Sequence, residues 1–204
     1  MRAVIFAGGS IEDYEYTSKL LRGGDLIIAA DSGYDHLKKI GIKPDIMIGD
    51  MDSVSGVYEA DEITRLEVMK DETDTEAAAM LAVERGADEL LILGAIGSRA
   101  DHSLANILLL KKLSDAGASA CVANEKNEIY FLDKMLTLTG RRNDLVSILP
   151  LCELGGVTTE GLFYALEDDT LHFGAARGVS NVMTADTCTV SVKYGCALVI
   201  KSRD

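Results

Sequence analysis

The feature that most constrains this chain is a series of short, continuous apolar runs: Ala3–Ala7, Leu26–Ala30, Ile46–Ile48, Leu90–Leu93 and Ala120–Ala123. Runs without alternation suit strands buried on both faces, which are the strands of parallel sheets. Helix-period segments lie between them, clearest at Thr75–Arg85 and Ala100–Leu113. A β-α-β-α order predicts a parallel, helix-covered sheet, a Rossmann-like α/β domain. Thr73 stands three residues before Glu76, the signature of a capping box at a helix start. Ser98 before Asp101 is a weaker form of the same signal.

Beyond Asn124 the pattern changes. Ile129–Leu132, Leu136–Leu138, Leu145–Leu149, Leu171–Phe173, Thr189–Val192 and Ala197–Ile200 are short, and several alternate. Turn material such as Gly140–Asp144 and Gly155-Gly156 separates them, and no helical period intervenes. This predicts a C-terminal antiparallel β-sandwich. The expected organisation is an α/β domain over 1–124 and a β-sandwich over 125–204.

A 48% apolar content over 204 residues is enough for a sizeable core. No apolar run approaches the ~20 residues that span a bilayer, and the N-terminal run is too short for a signal peptide core. The expectation is a cytoplasmic protein with no membrane partner. Cys121, Cys152, Cys188 and Cys196 form no metal-binding spacing and read as buried, reduced thiols. A net charge of −13 with no basic tract argues against a nucleic-acid partner. It still permits a nucleotide, provided a cation stands between the two sets of negative charge.

The carboxylates fall where such a cation is useful. Asp31 closes one apolar run and Asp50 another, and ligands of open parallel sheets bind beyond the carboxyl ends of the strands. In Gly49-Asp50-Met51-Asp52-Ser53, two carboxylates at i and i+2 point the same way if the segment is extended. That suits shared oxygen coordination of a hard cation, although D-x-D alone reads equally well as a polar turn. Asp71-Glu72-Thr73-Asp74 follows an expected strand at Glu67–Lys70 and opens a helix, where acidic residues also favour the helix dipole. Gly94–His102 again joins strand to helix; its glycines admit close backbone approach, and Arg99 with a helix N-terminus suits phosphate. Four strand ends with one chemistry point to Mg²⁺ and a polyphosphate. Neither a Walker A pattern nor G-x-G-x-x-G is present.

Taken in order, these motifs resemble the thiamin pyrophosphokinase (thiamin diphosphokinase) family. The matching stretches are Ala30-Asp31-Ser32-Gly33, Pro44-Asp45, Gly49–Ser53, Asp71–Asp74, Gly94–His102, Gly161–Leu166, Phe173-Gly174 and Ser180-Asn181. The combination of G-D-x-D-S, T-D and R-x-D-H is specific. Two departures stand out: Ser98 replaces the second of a glycine pair, and Tyr164 occupies a place where many relatives carry tryptophan.

The resemblance implies Mg²⁺-dependent transfer of pyrophosphate from ATP to thiamin, giving thiamin diphosphate and AMP. It implies ATP at the first domain, thiamin at the second, and a homodimer with sites at the subunit interface. By position, Asp50, Asp52 and Asp74 would hold the metal. Arg99 and Asp101 would line the phosphate and hydroxyl region, with Asp31, Gly97 and His102 on the ATP side. Asp101 would either accept the hydroxyl proton or orient it. Tyr164, Ser180 and Asn181 would face thiamin, though a core tyrosine and a turn Ser-Asn would read identically in the sequence. Two rivals stand beside this reading. A nucleotide-sugar transferase accounts for Asp50 and Asp52 but leaves Asp74 and Arg99-x-Asp101-His102 unexplained, and the intact aspartate set speaks against a silent sensor.

Overall fold

The computed structural model describes residues 1–50, 58–66 and 71–203. The chain divides into two compact units, Met1–Glu125 and Lys126–Asp204.

The first unit runs β1 (Arg2–Phe6), α1 (Tyr14–Leu20), β2 (Leu26–Ala30), α2 (Gly33–Lys39), β3 (Ile46–Gly49), β4 (Glu62–Arg65), α3 (Asp74–Glu84), β5 (Glu89–Leu93), α4 (Ala100–Asp115) and β6 (Ser119–Ala123). Its strands pair in parallel in the order β6-β5-β1-β2-β3-β4. Val4, Ile5 and Phe6 of β1 are wholly buried, as an unbroken apolar run at the middle of such a sheet must be. Each such side chain contributes about 1.5–3 kcal/mol relative to exposure. The chain builds outward from β1 to β4, then returns through α3 to place β5 on the other side of β1. The sheet therefore has a topological switch point between β1 and β5, where a crevice opens beyond the strand ends.

The strand expected at Glu67–Lys70 lies outside the described residues. β4, which the sequence reading missed, alternates exposed and half-buried residues at the sheet edge. Its Glu and Arg fit an edge strand that avoids pairing with other chains, and they disguise it as a polar loop. Thr73 caps α3 as expected, accepting the Glu76 N–H at 3.2 Å, while the Glu76 carboxylate pairs with Lys112 at 2.6 Å. Ser98 does not cap α4; the cap position is Arg99, whose side chain makes no capping hydrogen bond.

The second unit is an antiparallel β-sandwich, with no helix among its described residues. Its strands are β7 (Asn127–Leu132), β8 (Met135–Thr139), β9 (Leu145–Pro150), β10 (Leu154–Glu160), β11 (Asp169–Leu171), β12 (Asn181–Val182), β13 (Thr187–Ser191) and β14 (Ala197–Ser202). One layer runs β12-β9-β14-β7 and the other β11-β10-β13-β8. Val146, Ile148 and Val199 of the first layer share a buried core with Leu138, Val157 and Val190 of the second. Two expectations need correction. Gly155-Gly156 is not a turn but part of β10, at a shift of register against β11 that marks a bulge. The strand expected at Leu171–Phe173 ends at Leu171, because Phe173 is 70% exposed and belongs to the following turn.

Candidate active site

The crevice at the switch point is a cavity of about 460 Å³ lined by the ends of β1, β2, β3 and β5 and by the starts of α3 and α4. Asp31, Asp50, Glu72 and Asp74 all line it, together with Gly97, Ser98, Arg99 and His102. Among the described lining residues, four carboxylates thus face one arginine. An anionic ligand entering alone would be repelled, and a divalent cation would reverse that.

The floor is made of backbone brought unusually close. Gly9 donates its N–H to the Gly94 carbonyl at 2.7 Å, and Ser10 donates to Ile96 at 2.7 Å. A Cβ on Gly9 would lie 2.3 Å from the Gly94 oxygen, so only glycine allows the two loops to touch. Asp31 sits just past β2 with φ 47, in the left-handed region that aspartate tolerates better than most residues. Its N–H is anchored to the Ile48 carbonyl at 2.9 Å.

Three polar side chains that the sequence reading passed over hold these loops. The His36 ring lies 2.8 Å from the Gly9 carbonyl through Nε2 and 2.8 Å from the Tyr14 hydroxyl through Nδ1. A carbonyl only accepts, so Nε2 carries the proton and Nδ1 accepts from Tyr14. Lys39 donates to the same hydroxyl at 3.0 Å. Burial, the main influence, pushes the His36 pKa below the ordinary histidine value, so the ring is neutral near pH 7. On α4, Ser103 accepts the Gly97 N–H at 3.0 Å and donates to the Arg99 carbonyl at 2.9 Å. One turn on, the buried Asn106 donates to the Ala95 carbonyl at 2.8 Å. The readable signal was a serine and an asparagine three apart on the inner, leucine-rich side of a helix.

Arg99 and Asp101 form a two-point ion pair, with nitrogen–oxygen distances of 2.7 and 3.2 Å. Asp101 also accepts the His102 N–H at 2.9 Å. The Arg99 hydrogen bonds first, then that N–H, lower the Asp101 pKa to about 2. Such a carboxylate is a weak base. Both side chains are exposed, so the pair orients groups more than it stabilises the fold.

Asp50 and Asp74 reach the same cleft, while Asp52 lies outside the described residues. Among the described residues no cluster of three carboxylate, histidine or cysteine groups is assembled closely enough to hold a metal ion. The hard oxygen donors of Asp50 and Asp74 nevertheless fit Mg²⁺ in kind.

In the second unit, Tyr164 is 64% exposed, which removes the core-tyrosine reading. Its ring packs edge-on against the equally exposed Phe163, with centroids 5.0 Å apart. Asn181 is buried beneath this segment. It accepts the Tyr164 N–H at 2.9 Å, donates to the Tyr164 carbonyl at 2.7 Å and accepts the Val182 N–H at 2.8 Å. Its amide is thereby engaged in holding the Tyr164 backbone. Ser180 is exposed at φ 60, with its N–H bound to Ser147 at 3.0 Å.

The sequence matches the catalytic domain of thiamin pyrophosphokinase over residues 17–122 and the vitamin B1 binding domain of thiamin pyrophosphokinase over residues 136–198. The chain belongs to the thiamin pyrophosphokinase family. Thiamine pyrophosphokinase of Bacillus subtilis is 28% identical over 201 residues, covering 88% of each chain. The crystal structure of thiamine pyrophosphokinase from Bacillus subtilis superposes with a TM-score of 0.90 at 25% identity, over 100% of both chains. Thiamin pyrophosphokinase from Geobacillus thermodenitrificans gives 0.86 at 25% identity, over 100% of this chain and 98% of that one. The cleft residues from Ala30 to Asn106 fall within the catalytic-domain match, Gly8 and Gly9 lie just before it, and Tyr164 and Asn181 fall within the vitamin-binding match.

Proposed function

We propose that the protein transfers a pyrophosphoryl group from ATP to the hydroxyl of thiamin, with Mg²⁺, and releases AMP. The observation that carries this reading is the carboxylate-lined crevice at the β1–β5 switch point in a chain matching both domains of the family. Transfer of this kind needs positioning and charge neutralisation more than covalent assistance. Asp50 and Asp74, with Asp52, would hold Mg²⁺, which when bound supplies charge neutralisation to the phosphate oxygens. The glycines of the Gly8-Gly9 and Gly94–Gly97 loops keep side chains off the part of the cleft proposed for the phosphates, and Arg99 offsets negative charge that develops during transfer. The depressed Asp101 pKa favours orientation of Arg99 and of the thiamin hydroxyl over proton abstraction. Tyr164 offers an aromatic face to the thiazolium cation and the flat pyrimidine of thiamin.

The same reading includes a homodimer whose vitamin-binding unit completes the partner's site, and a cytoplasmic location. Among the described residues no helix is long and apolar enough to cross a membrane. Co-expression of an Asp50→Asn chain with a Tyr164→Ala chain should give, at limiting thiamin, more activity through mixed dimers than either variant alone. Failure with mixed dimers confirmed would place each complete site within one chain. The reaction itself is tested by incubation with ATP, Mg²⁺ and thiamin, followed by chromatography of nucleotides and thiamin esters. Equal amounts of AMP and thiamin diphosphate are expected. Accumulation of ADP with thiamin monophosphate would overturn the assignment.

A further inference from the structure

The four cysteines are not equivalent. Cys188 is buried, and burial raises its pKa above the ordinary thiol value, which suits an inert core residue. Cys152 is exposed and Cys196 half-exposed, against the expectation of buried thiols, and their sulfurs lie 3.9 Å apart. Cys152 lies between β9 and β10, and Cys196 lies immediately before β14.

The backbone on both sides of this pair is pinned. Leu151 donates its N–H to the Cys196 carbonyl at 2.9 Å, extending the β9–β14 ladder by one step. The Cys196 N–H in turn points at the Cys152 sulfur, 3.3 Å away. Gly195, at φ 87, passes so close that a Cβ there would lie 2.3 Å from the Glu153 carbonyl oxygen. The two segments are thus held against each other by main-chain contacts, independent of the thiols. A sulfur–sulfur bond of ~2.05 Å requires these two sulfurs to close from 3.9 Å.

We infer that Cys152 and Cys196 form a reversible dithiol site in the vitamin-binding unit, oxidised by exchange with small-molecule disulfides. Cys152, the more accessible, attacks as thiolate; one sulfur–sulfur bond breaks, one thiol leaves, and a mixed disulfide forms on Cys152. The Cys196 thiolate then attacks the Cys152 sulfur and expels the second thiol. Two protein thiols lose two protons and two electrons, and the small disulfide becomes two thiols. Cys188 takes no part, because its side chain is buried.

The test uses full-length protein incubated with oxidised glutathione, quenched in acid, alkylated after denaturation and mapped by peptide mass spectrometry. The expected product is one linked Cys152–Cys196 peptide pair, an intact mass lower by two hydrogens, alkylated Cys121 and Cys188, and full reversal by dithiothreitol. Cys196→Ser should stop at a glutathione adduct on Cys152, and Cys152→Ser should give no internal bond. Wild-type protein that keeps the adduct with Cys196 alkylated, links only between chains, or remains fully alkylated at all four positions overturns the inference.

Discussion

The two units present their functional residues in opposite ways. In Met1–Glu125 the cleft is built on strands buried on both faces, and its loops are positioned by backbone contact with hidden props: His36 beneath Gly9, Ser103 and Asn106 beneath Gly94–Arg99. In Lys126–Asp204 the aromatic segment around Tyr164 stands exposed and is fastened by one buried amide, Asn181. The difference suits the chemistry proposed for each. Polyphosphate and Mg²⁺ demand fixed dipoles and charges at set distances, so rigidity is concentrated there. A flat cationic ring needs area and a π-face, which an exposed aromatic supplies with little preorganisation beyond its own backbone.

The largest effect that sharpens this contrast is expected at the carboxylates. Asp50→Asn or Asp74→Asn should lower kcat by about 10²–10³, the size typical of losing one charge-stabilising group. The melting temperature should hold or rise slightly, since like charges crowd the cleft. Near-normal turnover in both variants would mean that these strand ends are ordinary polar turns.

Next comes Gly9→Ala. The 2.3 Å approach of a Cβ to the Gly94 oxygen leaves backbone, not a flexible side chain, to move. The expected cost is about 1–3 kcal/mol of stability together with weaker ATP binding and unchanged thiamin binding. A variant with unaltered melting and ATP affinity would show that the loop contact is slack.

At Tyr164 the effect should be smaller and confined to the other ligand. Tyr164→Ala should weaken thiamin binding about two- to thirty-fold, corresponding to ~0.5–2 kcal/mol, with little change in melting temperature because the ring is exposed. Tyr164→Trp should bind at least as well. A large drop in melting temperature with unchanged thiamin affinity would assign the ring to packing.

The smallest effect concerns pH. His36 has a folded-state pKa below its unfolded value of about 6.5, so the unfolded chain binds the proton first as pH falls. Its contribution is fully present above about pH 6.5 and is lost as pH drops toward the lower folded value. Lys39, which raises the cost of a charge there, and Asp35, which lowers it, are the charged groups acting on the ring. Denaturant melts between pH 7 and 5 should show this loss, and His36→Gln should flatten it. An unchanged slope in the variant would place the proton uptake elsewhere.

Much of this was legible in the sequence where one physical demand acted alone. Unbroken apolar runs marked the buried strands, and Thr73 marked the start of α3. Legibility failed where two demands overlapped. β4 carries edge-strand charges that resemble a loop, and the Gly155-Gly156 bulge resembles a turn. α1, only seven residues long, leaves a weak periodicity and is secured by Asp13 accepting the Tyr16 N–H at 2.8 Å. Of the site, the positions of Asp31, Asp50, Asp74 and Arg99 at the cleft could be placed from the strand ends. His36 could not, because its role depends on the Gly9 loop 27 positions away, whereas Ser103 and Asn106 left a polar signal on the inner side of α4 that was passed over. The proximity of Cys152 to Cys196 arises from strand pairing across 44 positions, which no local pattern encodes.

The division of labour itself is tested most directly by calorimetry with a nonhydrolysable ATP analogue and with thiamin, each with and without Mg²⁺, on wild type, Asp74→Asn and Tyr164→Ala. The expected result is a double dissociation. Asp74→Asn should abolish the strengthening of analogue binding by Mg²⁺ and leave thiamin affinity alone, while Tyr164→Ala should weaken thiamin and leave the analogue alone. Equal losses for both ligands in either variant would contradict the account.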